Sequence, residues 1–378
     1  MKVMPGDPTD DVLSWDESVF RNERVFEIDW VPETFRHRDT QLQSLQYALK
    51  PAVRGARPLN GIIRGPPGTG KTTAIEKLFG ELNPRSGVHA VRVNCQVNST
   101  RYAVFSRVFE SIFEYEPPSS GVSFKKLFGQ VADKLIDQED VLVVALDDVN
   151  YLFYENEADD TLYSLLRAHE THPGAKVGVL LVSSDLGLEV IEQLDSRVQS
   201  VFRPEEVYFP VYDVPEIADI LSERVKRGFH DGAVDPPVID RVAELTAEGS
   251  DLRVGIDLLR RAGLNAEMRA SRAVELEDVE HAYEQSKHVH LSHKLRGVSS
   301  SEAALIRVIA ENEGAQAGDV YEAFHTETDL GYTRYSELIN KLDQLGVIEA
   351  EYAQVDGRGR SRSLSLAHDA DAVLERLE

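Results

Sequence analysis

The chain has 378 residues, a length typical of two or three domains rather than of a single core. Its formal net charge of -24, from 65 acidic and 41 basic residues, argues against loose, non-specific DNA binding. It favours adaptation to high internal salt, with an ordinary acidic cytosolic protein as the alternative. Since there is no membrane-length apolar run, no secretory signal and only one cysteine, Cys95, we expect a cytoplasmic protein without membrane contact.

The most informative motif is a glycine-rich loop at residues 65–72, which reads Gly-Pro-Pro-Gly-Thr-Gly-Lys-Thr. A short apolar stretch (61–63) precedes it and a predicted helix (73–79) follows, as in a phosphate-binding loop. The glycines let backbone N–H groups turn toward phosphate oxygens, and the helix N-terminus adds positive potential. We expect Lys71 to reach the β- and γ-phosphates and Thr72 to hold Mg²⁺, and the loop to be completed by Gly68, Thr69, Gly70 and Thr73. A chance glycine-rich turn is the alternative.

Further apolar runs alternate with helical segments and predict a parallel sheet covered on both faces. They lie at residues 88–94, 141–146, 176–183 and 207–209. The second of these runs ends in two carboxylates, Asp147 and Asp148. Asp147 is expected beside Thr72, where it would position Mg²⁺, and Asp148 would polarise the attacking water. Two aspartates in a simple strand-end turn are the alternative.

The remainder of the chain first becomes purely helical and then changes pattern again. Helical spacing occurs at residues 215–229, 237–247, 251–271 and 276–288. From about residue 298 the pattern is helix, helix, helix and hairpin. Ser299 and Glu302 form a capping box before the first of these helices, and residues 319–324 and 333–345 give the other two. The hairpin arms, 348–355 and 361–367, flank a glycine-rich basic turn.

Taken in order, these motifs resemble those of the AAA+ ATPase family, and specifically archaeal replication initiators of the origin-recognition/cell-division-control type. The resemblance covers nearly the whole chain. It implies an α/β fold with a phosphate-loop parallel sheet (1–212), a helical lid (213–290) and a C-terminal winged-helix DNA-binding domain (291–378). The segments that carry it, besides the phosphate loop, are 31–39, 94–95, 100–102, 209–213, 249–253 and 256–260.

The resemblance also implies roles at the nucleotide. Arg253 corresponds to a lid arginine that contacts the γ-phosphate, and Tyr212 and Arg224 to adenosine-side contacts. Arg197 is a candidate arginine finger, with an ordinary salt-bridge arginine as the alternative. This chain departs from the family at Asp148, where glutamate is usual, and at Ser184, where asparagine is usual. Because both side chains are shorter, we expect tight binding of ATP or ADP and very slow hydrolysis.

A winged helix reads DNA with its third helix and its hairpin. The third helix offers Thr333, Arg334, Tyr335, Asn340 and Lys341, and the hairpin offers Arg358, Arg360 and Arg362, which share one face of an extended arm. The family's insertion between residues 100 and 128 adds candidate backbone contacts at Thr100, Arg101, Lys125 and Lys126. From His290 to Glu378 there are 9 basic and 16 acidic residues, so protein docking is the alternative use of this domain.

The sequence therefore predicts a nucleotide-switched initiator that binds double-stranded origin DNA. The resemblance adds recruitment of the replicative minichromosome maintenance helicase and self-association on DNA. The alternative is an ATP-dependent regulator or remodelling ATPase whose winged helix serves transcription control or protein docking. His288, His290 and His293 are interpreted as linker residues between lid and winged helix rather than as a metal site.

Overall fold

The computed structural model describes residues 18–118, 122–295, 298–344, 346–354, 360–367, 370–374 and 376–377. The chain divides into two compact units. The sheet unit consists of Phe20–Asp231 and Val242–Asp257. The C-terminal unit consists of Gly232–Arg241 and Leu258–Glu378, with Ser18 and Val19. The boundaries of the three domains named above stay a prediction.

The sheet unit is built on a five-stranded parallel sheet in the order β2-β3-β4-β1-β5. This confirms the predicted α/β architecture. In the register, Ile62 of the first strand lies opposite Leu181 of the fourth, which lies opposite Leu146 of the third. The strands are β1 (Asn60–Arg64), β2 (Val88–Asn94), β3 (Val141–Asp147), β4 (Lys176–Ser183) and β5 (Pro204–Tyr208).

The sheet is apolar on both faces, which explains why β3 is buried along its whole length. Side chains alternate across a strand, so Leu142, Val144 and Leu146 pack on one side. Val143 and Ala145 pack on the other. Because a parallel strand buried in this way needs apolar side chains at consecutive positions, the continuous runs in the sequence were a reliable signal.

Helices cover both faces of this sheet, and several begin at side chains that cap them. Thr100 and Ser123 each accept a backbone N–H three residues on, and Asp213 forms a capping box with Glu216. The helices are α1 (Asp39–Leu49), α2 (Lys71–Leu82), α3 (Arg101–Phe113), α4 (Phe124–Asp137), α5 (Asn150–Tyr154), α6 (Ala158–Leu166), α7 (Ala168–Thr171), α8 (Val190–Gln193), α9 (Ser196–Gln199) and α10 (Val214–Gly228).

Three further helices follow, as predicted: α11 (Pro236–Gly249), α12 (Leu252–Met268) and α13 (Leu276–Leu295). The last continues seven residues beyond the predicted end at residue 288. The interpretation of His288, His290 and His293 as linker residues was therefore wrong, because their backbone belongs to α13. Their side chains lie outside the described part of the chain.

The end of the chain has the predicted winged-helix order, with a short extra strand. The elements are α14 (Ser300–Glu311), β6 (Ala315–Gln316), α15 (Ala317–Thr328), α16 (Tyr332–Gln344), β7 (Ile348–Gln354), β8 (Arg360–Leu366) and α17 (Ala370–Leu374). The three strands form an antiparallel sheet in the order β6-β8-β7. The capping box of Ser299 and Glu302 is confirmed. Leu305, Ile309 and Phe324 lie in the core that the helices share with this sheet.

One carboxylate of this core is buried and depends on a lysine of α16. Glu302 is 2% exposed, and its two oxygens accept from Lys341 Nζ at 2.6 Å and from the backbone N–H of Ser299 at 2.7 Å. Burial alone would raise the pKa of Glu302, but the hydrogen bonds from Lys341 and Ser299 outweigh it and hold the pKa below its usual value. Lys341 therefore joins α16 to the start of α14.

We expect Lys341→Met to destabilise the winged helix by about 1–3 kcal/mol, because Glu302 then remains buried without its cation. The difference from wild type should be present above about pH 4.5 and vanish as acid protonates the carboxylate, since the folded-state pKa of Glu302 is the lower one. Hydrogen–deuterium exchange of α16 amides measures the effect. Arg307→Met removes an exposed charge from α14 and is the control; equal exchange in both variants would contradict the pairing.

Candidate nucleotide site and nucleic-acid face

The phosphate loop has the backbone that anion binding requires. Gly68 and Gly70 have φ angles of +71° and +90°, which side-chain-bearing residues rarely adopt, and α2 begins directly after them at Lys71. A Cβ at Gly65 would lie 2.2 Å from the carbonyl oxygen of Phe209, so only glycine allows the loop to approach the end of β5. Thr69 is buried, its hydroxyl donates to Pro66 O at 2.8 Å, and Thr73 lies half-buried in the first turn of α2.

Lys71 is buried inside this loop. Its ammonium donates to the carbonyl oxygens of Gly65 and Pro66, both at 2.7 Å. Burial lowers the pKa of Lys71 to about 8, although the charges of Asp147 and Asp148 partly counteract it. The lysine that the sequence assigned to the phosphates is therefore close to losing its proton at neutral to mildly alkaline pH.

Thr72 and Asp147 meet as predicted. The Thr72 hydroxyl donates to Asp147 Oδ2 at 3.0 Å, so a hydroxyl and a carboxylate, both suited to Mg²⁺, lie side by side. The same carboxylate oxygen accepts from Arg92 Nη1 at 2.9 Å, and Arg92 also pairs with Glu76 of α2 at 3.0 Å. Arg92 was not predicted from the sequence, because the pattern of β2 does not reveal which neighbouring residues its charged side chain contacts.

Asp148 follows β3 in a left-handed conformation, with φ +53°. This conformation costs a non-glycine residue about 1 kcal/mol, although aspartate tolerates it better than most. Burial, together with the adjacent charge of Asp147, raises the pKa of Asp148. A carboxylate with a raised pKa is a better proton acceptor, which suits the predicted role of polarising water.

Arg253 lies at the start of α12 and is paired with Asp251. Its guanidinium donates to both carboxylate oxygens, from Nε to Oδ1 at 2.9 Å and from Nη2 to Oδ2 at 2.5 Å. The Asp251 carboxylate in turn lies against Gly68 of the phosphate loop. All of these residues belong to the sheet unit, so the fold brings the predicted sensor arginine to the loop.

A buried arginine that the sequence did not single out, Arg38, holds the surroundings of the loop together. It is 2% exposed and donates from Nε to Thr69 O at 3.2 Å and from Nη2 to Pro210 O at 2.6 Å. Its guanidinium carbon lies 3.6 Å from the ring centroid of Tyr212. An adenine base that stacked on Tyr212 would therefore have to use the other ring face.

The second predicted adenosine-side residue, Arg224, is also buried. It donates to the carbonyl oxygen of Val25, and its guanidinium lies 4.5 Å from the ring centroid of Trp30. Burial lowers the pKa of Arg224 to about 10. Trp30, next to the 31–39 segment, was not anticipated from the sequence as a partner of Arg224.

The remaining predicted catalytic residues lie at the ends of β4 and α9. Ser184 follows β4 and is half-buried, and the next residue, Asp185, accepts from Tyr154 Oη at 3.0 Å. Arg197 forms an ion pair with Asp195, two residues before it, and lies 5.2 Å from the ring centroid of Tyr163. A finger role for Arg197 stays a prediction, as does a sensor role for Ser184.

In the winged helix, α16 and β8 carry the candidate DNA contacts. Arg334 is exposed near the start of α16 and pairs with Glu337 at 2.8 Å. Arg362 on β8 donates to Asn340 Oδ1 at 2.8 Å, which joins the hairpin to the third helix. Lys341 is engaged with the buried Glu302. Arg358 lies outside the described residues, and of Arg360 only the backbone, at the start of β8, is described.

The placement of Tyr335 on the outer face of the third helix was wrong. Its side chain is 1% exposed, packs against Tyr321 and Phe324 of α15, and donates to Ala317 O at 2.6 Å. Thr333 is exposed on the same helix, as expected. Residue type alone did not reveal which face of α16 packs on α15.

Arg101, the predicted backbone contact in the sheet unit, is the first residue of α3. Its guanidinium lies 4.3 Å from the Phe124 ring centroid and pairs with Asp160 at 3.4 Å. Lys125 and Lys126, at the start of α4, are exposed. Residues 119–121, between α3 and α4, lie outside the described part of the chain.

Comparison with known proteins decides the family. A sequence profile for an AAA ATPase domain matches residues 34–182, and one for a Cdc6 AAA+ ATPase-type lid domain matches residues 218–284. The chain is 71% identical to ORC1-type DNA replication protein 3 of Haloarcula marismortui, over 99% of this chain and 100% of that protein. It is 69% identical to ORC1-type DNA replication protein 6 of Halobacterium salinarum, with the same coverage.

The chain belongs to the ORC1-type DNA replication protein family. This confirms the resemblance to AAA+ replication initiators. The fold agrees: the structure of the Aeropyrum pernix ORC1 protein in complex with DNA superimposes with a TM-score of 0.69 at 28% identity, over 96% of this chain and 97% of that chain. Membership in an AAA+ family also supports nucleotide binding by this chain, and the part of residues 65–72 in it stays a prediction. Within the described part of this ORC1-type chain, helices lack the length and apolar character needed to cross a membrane.

We expect nucleotide affinity to fall as the pH rises through about 8, because Lys71 loses its proton there and phosphate groups favour the charged form. The loss should approach about tenfold per pH unit above 8, and binding at pH 9 should take up a proton. Calorimetry in buffers of different ionisation enthalpy measures this uptake. Lys71→Met should bind nucleotide more weakly and without taking up a proton. Equal heats in all buffers for wild type would contradict the assignment.

Proposed function

We propose that the protein is an ATP-binding DNA replication initiator that binds origin DNA and helps to load the replicative minichromosome maintenance helicase. The observation that supports this proposal most strongly is that one chain of the ORC1-type family contains both a candidate nucleotide site and a candidate DNA-binding domain. The first is a phosphate loop with Lys71 buried in it and Thr72 bonded to Asp147. The second is a winged helix whose third helix is bonded to its hairpin through Asn340 and Arg362.

Nucleotide binding, rather than turnover, is the working step of this proposal. Arg253 would contact the γ-phosphate, Tyr212 and Arg224 the adenosine side, and Arg197 the nucleotide of a neighbouring copy. Asp148 is one methylene shorter than the usual glutamate, and Ser184 offers a single hydroxyl. Errors of about 1 Å in placing a reacting group cost around 100-fold in rate, so hydrolysis acts as a slow reset.

The residues present fit a Mg²⁺ ion beside the phosphates. Thr72 Oγ1 and Asp147 Oδ2 are oxygen donors 3.0 Å apart, and this ligand type suits a hard divalent cation. When bound, Mg²⁺ would neutralise phosphate charge. Asp147 would hold it while Arg92, which now shares the same carboxylate oxygen, turns toward Glu76.

Arg92→Gln should therefore lower the Mg²⁺ concentration needed for ATP binding by about threefold, because a competing partly buried ion pair of about 0.2–1 kcal/mol is removed. Fluorescence of an ATP analogue titrated with Mg²⁺ gives the midpoint, and Mn²⁺ binding followed by electron paramagnetic resonance gives an independent readout. Arg92→Lys keeps the charge and should behave like wild type. An unchanged midpoint for Arg92→Gln would remove Arg92 from the metal site.

DNA recognition in this proposal rests on base contacts made from α16 and β8. Arg334 and Arg362 can read guanine bidentately or enter a narrow minor groove. Arg358 and Arg360 would extend the same face of the hairpin, and Lys341 would contact DNA only where it can also hold Glu302. Arg101 would add a contact to the DNA backbone. The A. pernix ORC1 structure, 28% identical, contains DNA, which supports this part of the proposal.

Other features of the proposal follow from the initiator role. A protein acting on the chromosome of a cell without a nucleus would work in the cytoplasm, and Arg197 would favour self-association on DNA. The domains would be a nucleotide-binding core (1–212), a helical lid (213–290) and a winged helix (291–378).

The decisive experiment is fluorescence anisotropy in molar KCl, where counterion release contributes little and base contacts must carry affinity. We expect candidate origin repeats to bind at least about tenfold tighter than scrambled duplex, and an Arg334→Ala/Arg362→Ala pair to lose that preference. Arg307→Ala removes an exposed arginine of the same domain from α14 and should retain it. Lys71→Ala then reports whether nucleotide controls binding.

Equal, weak binding of repeats and scrambled duplex by every variant would overturn the initiator proposal. It would leave the winged helix as a docking module of an ATP-dependent regulator or remodelling ATPase. If the Arg334→Ala/Arg362→Ala variant still preferred origin repeats over scrambled duplex, the base contacts would have to come from other residues of the domain.

A further inference from the structure

A carboxylate lies against the anion-binding loop. Asp251 directly precedes α12, and a Cβ placed on Gly68 would meet Asp251 Oδ1 at 2.0 Å, Cγ at 2.5 Å and Cα at 2.8 Å. Gly68 can approach this closely only because it has no side chain. The backbone N–H groups of such a loop attract negative charge, and the Asp251 carboxylate places a negative charge beside the loop, where it also favours the charged form of Lys71 by raising its pKa.

The same carboxylate also holds Arg253. Three groups of Arg253 donate to it: the backbone N–H and Nε to Oδ1, each at 2.9 Å, and Nη2 to Oδ2 at 2.5 Å. The hydrogen bonds to Asp251 raise the pKa of Arg253. A bidentate pair of this kind is the geometry in which arginine binds a phosphate, so Asp251 takes the place that phosphate oxygens would have.

Nucleotide phosphates and Asp251 therefore compete twice. Both are anions that seek the loop at Gly68, and both are ligands for the guanidinium of Arg253. A carboxylate beside bound phosphates is repelled by them in a partly buried site. We therefore expect phosphate binding to displace the Asp251 carboxylate from Gly68, and contact between Arg253 and a terminal phosphate to break the pair of Arg253 with Asp251. Breaking the pair of Arg253 with Asp251 costs free energy, and this cost lowers the affinity for a triphosphate that reaches Arg253 more than the affinity for a diphosphate.

We propose that Asp251 is a positioning residue that lies against the phosphate loop at Gly68 and restrains Arg253, and thereby sets the preference between ATP and ADP. The inference rests on the proposed nucleotide-binding function and adds to it a residue that opposes binding. Loading with ATP exchanges the carboxylate of Asp251 for the γ-phosphate at Arg253. The beginning of α12 then reports whether the third phosphate is present.

The test compares ATP and ADP affinities, at fixed Mg²⁺ and pH 7.5, for wild type and Asp251→Asn. Asparagine keeps an acceptor for the Arg253 backbone N–H and removes the charge. We expect Asp251→Asn to gain at least about fivefold in ATP affinity and clearly less in ADP affinity. Asp133→Asn makes the same change at an exposed site on α4 and should match wild type.

The double variant Asp251→Asn/Arg253→Gln tests the route through Arg253. In this double variant, the gain in affinity should no longer be larger for ATP than for ADP. Only the gain that comes from removing the repulsion between Asp251 and the phosphates should remain. Thermal unfolding of each variant confirms folding. If folded Asp251→Asn binds ATP no tighter than Asp133→Asn, or gains equally for both nucleotides, the proposal fails. If wild type binds neither nucleotide, the proposed function itself fails, which the same titration reveals separately.

Discussion

The phosphate loop keeps its position because a buried guanidinium, that of Arg38, is satisfied only there. A cation removed from water costs several kcal/mol unless surrounding groups replace its hydration. Arg38 donates to carbonyl oxygens of His37, Thr69 and Pro210, and its guanidinium carbon lies 3.6 Å from the ring centroid of Tyr212. These partners come from the segment before α1, from the loop and from the chain after β5. Displacing any one of them would leave a buried N–H without an acceptor, so the three segments hold together and the nucleotide site inherits their rigidity.

Within that frame the site is not a ready-made positive cavity. Lys71 lies among the carboxylates of Asp147, Asp148 and Asp251, and the two nearby arginines, Arg92 and Arg253, are already paired with carboxylates. In the proposed function, phosphate groups would therefore be bound by exchange of ion pairs rather than by simple attraction. Such an exchange couples binding to side-chain rearrangement, because each arginine has two alternative anions. This is a physical basis for the proposed response to nucleotide with slow hydrolysis.

The sequence predicted the features that depend on local pattern and missed those that depend on contacts between distant segments. β2 and β4 were located to the residue, because buried parallel strands need uninterrupted apolar side chains. β5 was displaced to residues 207–209: it is an edge strand whose Glu205 and Glu206 are exposed, so no apolar run marks its beginning. The loop, Thr72 and Asp147 were predictable from their motif. The burial of Arg38 and the contact of Asp251 with Gly68 join residues far apart in sequence, and no spacing reveals them.

In the winged helix, acidic residues outnumber basic ones, although we propose that this domain binds DNA, which is a polyanion. High salt screens the exposed ion pairs of this domain more strongly than the buried one. Exposed pairs such as Arg334 with Glu337 are screened at high ionic strength, so exchanging the glutamate for DNA costs little. The pair of Lys341 with the buried Glu302 is screened less and remains structural. Arg362 donates to the neutral amide of Asn340. The acidic surface meanwhile weakens attraction to arbitrary duplex, so in the proposed function the affinity that remains in concentrated salt would come chiefly from contacts to the bases.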